Sequence, residues 1–365
     1  MIEQNVHLGG NTLISGGFLG VVDPIRQAPL GITDSEERHF QDIWNNGDKI
    51  ADPTLVRKLV HEAPRMLSWL EAKGVKFQDE VIEIYGSHFP RCHKPIFPNG
   101  TAYVRALTGA LMQRKVNVLT ETKAIELVQD DNGRVMGIKA ASKREEFFIR
   151  ARKGVILAAG GFGANLKTVA AFDPRLKGLP SNCSSGSTGD MLFAARRIGA
   201  SVVDLNEIQC LPGPISNKGI RVRFHNDVRR FVFVNDEGQR FVDERARRDE
   251  LKEKILVQRN KSCYCIIDND GLETLDLLVR RDAIRAAETS DAVKAQSLEE
   301  LASALNIPAT TLTNTIEERN AEIAFDKPQS RRFPIQTAPF WAARVGMRIH
   351  YTMGGLQINE KAQCL

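Results

Sequence analysis

The sequence contains no apolar run approaching the ~20 residues that a membrane span requires, and its first residues lack the apolar core of a secretory signal. Internal repeats and low-complexity tracts are also missing. The six cysteines, Cys92, Cys183, Cys210, Cys263, Cys265 and Cys364, are scattered through a chain too large to need disulfides. Cys263 and Cys265 sit inside Ser262-Cys-Tyr-Cys-Ile-Ile-Asp268, the texture of a buried strand, and neither a zinc spacing nor a Cys-x-x-Cys-His haem attachment occurs, so no metal is expected. Charge of one sign never forms a stripe. The net charge is +5 over 365 residues with acids and bases interleaved, which argues against a nucleic-acid partner while leaving room for a small anion. Together these absences point to a reduced, cytoplasmic compartment. What is present, 42% hydrophobic and 26% charged residues, is enough for one large domain or two moderate ones.

Apolar periodicity predicts helices over residues 35–48, 53–74 and 101–114. Short β-type runs follow at 116–119, 124–129, 134–139 and 147–150, with an Asp130-Asp131-Asn132-Gly133 turn, and predict a meander leading into a buried parallel strand over 154–159. That run feeds Gly160-Gly161-Phe162-Gly163, and Ser184-Ser185-Gly186-Ser187-Thr188-Gly189-Asp190 precedes another helix. Strands that feed glycine turns and then helices typify nucleotide-binding α/β domains. From 213 to 338 the texture changes to two strands, near 231–235 and 263–268, two helices, 298–306 and 308–324, and dense charge. The expected organisation is therefore α/β: a first domain over 1–212, an inserted α+β domain over 213–338, and a return to the first domain over 339–365.

Two segments carry chemistry. Near the C-terminus the chain reads Arg348-Ile349-His350-Tyr351-Thr352-Met353-Gly354-Gly355, where a carboxylate could be held beside backbone bare enough for a cofactor to approach. Taken alone it is equally a turn between two strands with a satisfied histidine. At the other end Glu3, Gly9-Gly10-Asn11-Thr12 and Gly16-Gly17 would set a carboxylate for ribose hydroxyls and glycine amides near a pyrophosphate, or else a surface acid beside a flexible terminus.

The order of these elements, with His93-Lys94-Pro95 and Phe241-Val-Asp-Glu-Arg-Ala-Arg-Arg248-Asp249, resembles the flavoprotein subunits of fumarate reductases and succinate dehydrogenases, including flavocytochrome-type enzymes. The resemblance implies a Rossmann-like FAD-binding domain with a capping domain. It implies non-covalent FAD held by Glu3, Gly9, Gly10, Asn11, Thr12, Gly16, Gly17, Ala124, Gly160, Gly161, Asp190, Gly354 and Gly355. It further implies hydride transfer between flavin N5 and a C=C bond, with Arg248 delivering the proton and His350, assisted by Thr352, holding a substrate carboxylate. Without the resemblance, Arg248 is equally a surface salt-bridge partner of Asp243 or Asp249.

Two departures narrow the expectation. Where fumarate-type members carry Gln-x-His-Pro, this chain has Gln209-Cys210-Leu211-Pro212, and a leucine cannot grip a second carboxylate. The acid expected in the proton relay falls in residues 221–231, where Asp227 is the only carboxylate. The substrate is therefore expected to be a small unsaturated monocarboxylate other than fumarate, with the electron donor unnamed. Second, no Gly-x-Gly-x-x-Gly turn precedes Glu3, and the sequence stops before the family's later glycine-rich segment, which reads as a flavin domain lacking its first strand and truncated at both ends. The alternative expectation is a catalytically silent remnant of such a flavoprotein.

Overall fold

Helices form where capping chemistry and apolar periodicity agree. Ser35 accepts from the Arg38 amide at the start of helix Glu36–Asn46, and Asp52 accepts from the Thr54 amide before helix Pro53–Ala72, whose Pro53 occupies the first turn where no N–H is needed. Phe40, Val56 and Val60 close the space between the two helices, and Leu67 and Leu70 reach a second cluster with Val21, Val75, Phe77 and Ala102. In the computed structural model, which describes residues 1–83, 89–216, 219–220, 222–225, 227–326 and 331–365, the chain divides into two compact units. The first comprises Met1–Pro174, Asn182–Ile208 and Tyr351–Leu365, and the second Arg175–Ser181 and Gln209–His350.

In the first unit the expected meander is present as strands Lys123–Gln129, Val135–Ala141 and Glu146–Arg150, antiparallel in chain order. The Asp130 carboxylate accepts from the Asn132 and Arg134 amides and fixes the turn between the first two. A second sheet joins Leu19–Gly20, Cys92–Pro95 and Phe77–Ile82. Residues 116–119 form no strand of their own: Ile2 and Leu119 make an isolated parallel bridge, with the Glu3 amide donating to the Leu119 carbonyl at 2.9 Å.

The expected buried strand over 154–159 is not found. Val155 and Leu157 pack toward Met191, Ala194 and Leu127, but the segment enters no strand ladder and Ile156 is 93% exposed. An apolar run of this length reads the same whether its second face is covered or bare, which is why the sequence misleads here.

The second unit is built on a five-stranded sheet. Its main path runs Ala292–Ala295, Phe340–Thr352, Ser262–Ile267, Val232–Val234, and Ile208–Pro214 pairs with Phe340–Thr352. Helices Leu298–Leu305 and Ala309–Glu322 cover one face through Leu301, Leu312 and Ile316, packed on Val232, Val234 and Ile266. Residues 340–350, assigned by sequence to the first domain, thus belong to the second unit, because the long strand is hydrogen-bonded into its sheet. Cys263 and Cys265 are fully buried on Ser262–Ile267, and burial pushes both thiols up.

His93 of the His-Lys-Pro motif has a place in the first unit that its sequence context alone does not reveal. Its Nε2 lies 3.0 Å from Asp23 Oδ2, and Nδ1 faces the Leu19 and Arg91 carbonyls, so it braces the strand pair from inside. Beside it the buried Arg91 grips the carboxylate of Asp34, whose side chain is fully buried, with two parallel bonds, at 2.8 and 2.9 Å, and Asp42 with a third at 2.6 Å.

Candidate functional site

Four glycine-bearing segments, far apart in sequence, are tied together inside the first unit. Asn11, in the short helix Gly10–Ile14, donates to Ser187 Oγ at 2.8 Å and accepts from the Ser184 amide at 2.6 Å. Gln4 donates to the Gly186 carbonyl at 2.5 Å, and the Ala164 amide donates to the Ser187 carbonyl at 2.9 Å. The Phe162 amide, behind Gly160 and Gly161, donates to the Thr352 hydroxyl at 3.3 Å. Each bond contributes only about 1 kcal/mol net, yet jointly they fix loops 9–12, 160–163, 184–190 and 352–355 as one surface.

The remaining expected cofactor residues of this unit fall around that surface or in its support. Glu3 accepts from the Asn5 amide at 2.8 Å, Ala124 is half-buried on Lys123–Gln129, and the Thr12 carbonyl abuts Gly100. Gly16 lies against the Phe18 ring, while the Gly17 carbonyl accepts from the Tyr103 hydroxyl at 2.6 Å, a phenol that burial pushes up to about 12. Asp190 opens helix Asp190–Arg197 and its carboxylate already bonds Lys123 Nζ at 2.7 Å and the Thr188 hydroxyl at 2.6 Å. Burial alone would raise that carboxyl, but these two partners hold it below its ordinary value.

The two adjacent glycines differ sharply. A Cβ on Gly354 would run into the Asp204 carbonyl, whereas one on Gly355 would meet nothing closer than Leu192 at 3.8 Å. Gly9 is similarly closed by Val104, but Gly10, at φ +46°, has nothing within 4 Å, and Gly160, at φ +72°, has only the Ser187 hydroxyl at 3.7 Å. Gly10, Gly160 and Gly355 therefore present bare backbone to open space. Gly354→Ala is expected to destabilise the first unit by about 1–3 kcal/mol, read as a lower urea midpoint. Gly355→Ala is expected to leave that midpoint unchanged and to lower bound flavin.

The second unit gathers the residues expected to act on substrate. Arg248 begins helix Arg248–Leu256, where Asp249 and Glu250 supply the negative charge that a helix N-terminus favours. The neighbouring acids are claimed by other arginines: Asp243 by Arg245 at 2.9 Å and Asp249 by Arg247 at 2.6 Å. Arg248 instead donates to Gln209 Oε1 at 2.8 Å, on strand Ile208–Pro214, which also carries Leu211. Burial, reinforced by the Arg248 charge, lowers the pKa of His350, so the imidazole is neutral near pH 7. Arg348 lies over Gly213 and reaches the Ser181 carbonyl. Asp227, the expected relay acid, is instead bonded by Arg229 through two nitrogens at 2.9 and 3.0 Å. Arg221, in the same stretch, lies outside the described residues.

A model of the FAD binding domain matches residues 1–365. The chain belongs to that family. This FAD-binding-domain chain is 31% identical over 373 residues to the fumarate reductase (cytochrome) of Shewanella frigidimarina, covering 100% of itself and 64% of that protein. It is 32% identical over 387 residues to the urocanate reductase of Eggerthella lenta, covering 100% of itself and 62% of that protein. Among solved structures, the open conformation of a flavocytochrome c3 fumarate reductase superimposes with a TM-score of 0.78 at 27% identity, covering 100% of this chain and 65% of that one. The chain thus spans a little under two thirds of these relatives.

FAD is the family's cofactor, and the open cradle at Gly10, Gly160 and Gly355 fits it, because a phosphate or a flat ring can approach backbone only where no Cβ intervenes. Thr352, expected at the substrate, has its hydroxyl on the Phe162 amide and supports the Gly160–Gly161 turn. Gln209 as the partner of Arg248 was not anticipated, although it lies in the same Gln-x-Leu-Pro motif. No helix among the described residues is long and apolar enough to cross a membrane.

Proposed function

We propose that this chain reduces the C=C bond of a small unsaturated carboxylate, with FAD bound non-covalently. One observation carries the proposal: Arg248 and His350, more than a hundred residues apart, lie near enough within one unit for the arginine charge to depress the imidazole, while Gln209 fixes the guanidinium. Bound reduced FAD supplies the hydride equivalent. His350, neutral and with one N–H, donates to the substrate carboxylate and draws electron density from the alkene, which makes the β-carbon a better hydride acceptor. Arg248 transfers a proton to the α-carbon, so hydride plus proton saturate the bond, and arginine recovers its proton from solvent. An arginine is ordinarily a poor acid, and the step depends on charge accumulating beside it in a dry site.

Leu211 limits the substrate to one carboxylate and an apolar remainder, an acrylate-type or cinnamate-like enoate. The names of the relatives, fumarate and urocanate reductases, span both kinds of substrate. The experiment is flavin content after purification with FAD, followed by reduced-viologen oxidation over a panel of enoates. Near-stoichiometric flavin and turnover of monocarboxylic enoates are expected. A colourless protein that takes up no FAD, or efficient turnover of fumarate alone, refutes the proposal.

A further inference from the structure

A cavity of about 590 Å³ and an adjoining one of about 260 Å³ lie within the second unit, and Asn260, Tyr264, Leu305 and Arg344 wall both. They open where two strands hand over to one another in the sheet. Strand Ser262–Ile267 occupies one edge of Phe340–Thr352 from Trp341 to Gly346, so Ala292–Ala295 and Ile208–Pro214 share the other edge. Ala292 pairs with Ala343, and the Ile215 amide takes over at the Arg344 carbonyl, 2.9 Å away. Asp291 spans the seam, accepting from the Ser216 hydroxyl at 2.8 Å and the Ile220 amide at 3.1 Å. Arg344 precedes His350 by six residues of the same strand, about 20 Å at a strand's 3.3 Å per residue, so this cleft is separate from the Arg248–His350 pair.

The walls of the cleft divide by chemistry. Ile215, Ala292, Ala304, Ala342 and Ala343 give the larger cavity narrow apolar sides, and Asp291, the one acid among its walls, directs an anion away from that end. The main chain of Arg344 is paired on both sides, so what it offers the cleft is its side chain. The guanidinium lies 4.6 Å over the Tyr264 ring, with Nε donating to Ser262 Oγ at 3.0 Å and Nη2 to Asp236 Oδ1 at 2.9 Å. Nη1 keeps its two N–H groups without a partner among the described residues. The side chains of Arg259, Asn260 and Asn306, walls of the smaller cavity, likewise make no hydrogen bond or ion pair there. Asp236 offsets the charge of Arg344, and Arg259 leaves one positive charge over. Unspent donors around a single surplus positive charge complement a monoanion whose oxygens only accept, and the apolar sides complement the body that carries it. The space is of the size that small-molecule sites have.

We propose that this cleft is a second small-molecule site, which takes a monocarboxylate on a slender apolar body, such as a medium-chain acyl group. The carboxylate bonds Arg344 Nη1 and Arg259, and the chain lies along Ala304, Ala342 and Ala343.

Octanoate is the probe, titrated calorimetrically into the full chain purified with FAD and followed by hydrogen exchange. Binding is expected, with slower exchange over residues 259–262 and 290–293. Octanamide, which keeps the body and loses the charge, is expected to bind about 10- to 100-fold more weakly, the range of a charge-assisted bond. Hexanoate and butanoate should lose about 10-fold per two carbons removed. Arg344→Met should weaken octanoate about 10- to 100-fold, and Arg259→Gln about 3- to 10-fold. Ala304→Trp, at an exposed helix position, should fill the channel and abolish binding. If Arg344→Met does not fold because Asp236 loses its cation, Ala304→Trp and Arg259→Gln decide. No binding by either readout, or equal binding of octanoate and octanamide, overturns the proposal. Binding that survives Ala304→Trp but is lost in His350→Ala places octanoate at the enoate site and overturns it too.

Discussion

Arg248→Ala is expected to lower enoate reduction by about 10²- to 10⁴-fold, the range that a positioned proton donor supplies, while flavin absorbance per mole of protein stays unchanged. The split between the two readouts follows from location. Arg248 bonds Gln209 within the second unit, whereas the open glycine cradle lies wholly within the first. Arg248→Lys should recover little, because a lysine lacks the planar fork that Gln209 orients and carries its charge on a flexible stem. Unchanged turnover in Arg248→Ala, measured by reduced-viologen oxidation at saturating enoate, would remove the arginine from the chemistry. Lost flavin would instead assign it a structural role.

The second large effect is on stability. Asp34→Asn is expected to cost about 3–5 kcal/mol, since it leaves the buried Arg91 guanidinium with Asp42 alone as an ionic partner among the described residues. That is a large part of a typical folding free energy, so urea should unfold the first unit at a clearly lower midpoint. Joint replacement of Asp34 by leucine and Arg91 by methionine should recover much of the loss, because neither charge is then left unpaired. The pH dependence has a definite sign. Burial alone would raise the Asp34 carboxyl, but bonds from Arg91, Gln27 and the Ser35 amide bring it below its ordinary value of 3.8. Its contribution is complete above the unfolded-chain value and is lost as pH falls through the lower folded one. Asp34→Asn should accordingly flatten the acid limb of the stability profile, and an unaltered limb would count against the pair.

The helices at 36–46, 53–72 and 101–113 and the meander were legible because local signals set them: caps, apolar periodicity and an Asx turn. The glycine elements were legible as a set but not individually. Nothing in Gly354-Gly355 says that the first is forced by a carbonyl more than a hundred residues away and the second faces open space. The Arg91–Asp34–Asp42 cluster and the Arg248–Gln209 bond were invisible for the same reason, since each joins residues whose adjacency only the folded chain creates.

Residues 154–159 have a consequence for handling. An extended apolar segment outside any ladder leaves backbone donors and acceptors available on its edges, and Ile156 projects a bare sec-butyl group beside them. Two copies meeting along this stretch could satisfy both needs at once, by zipping main chain to main chain and covering the isoleucine. Turbidity should therefore grow with a steep dependence on protein concentration and start from this stretch, with its amides exchanging with deuterium among the fastest in dilute solution and slowing once clusters form. A charged residue in place of Ile156 would act as a gatekeeper there without touching the glycine cradle or the arginine–histidine pair.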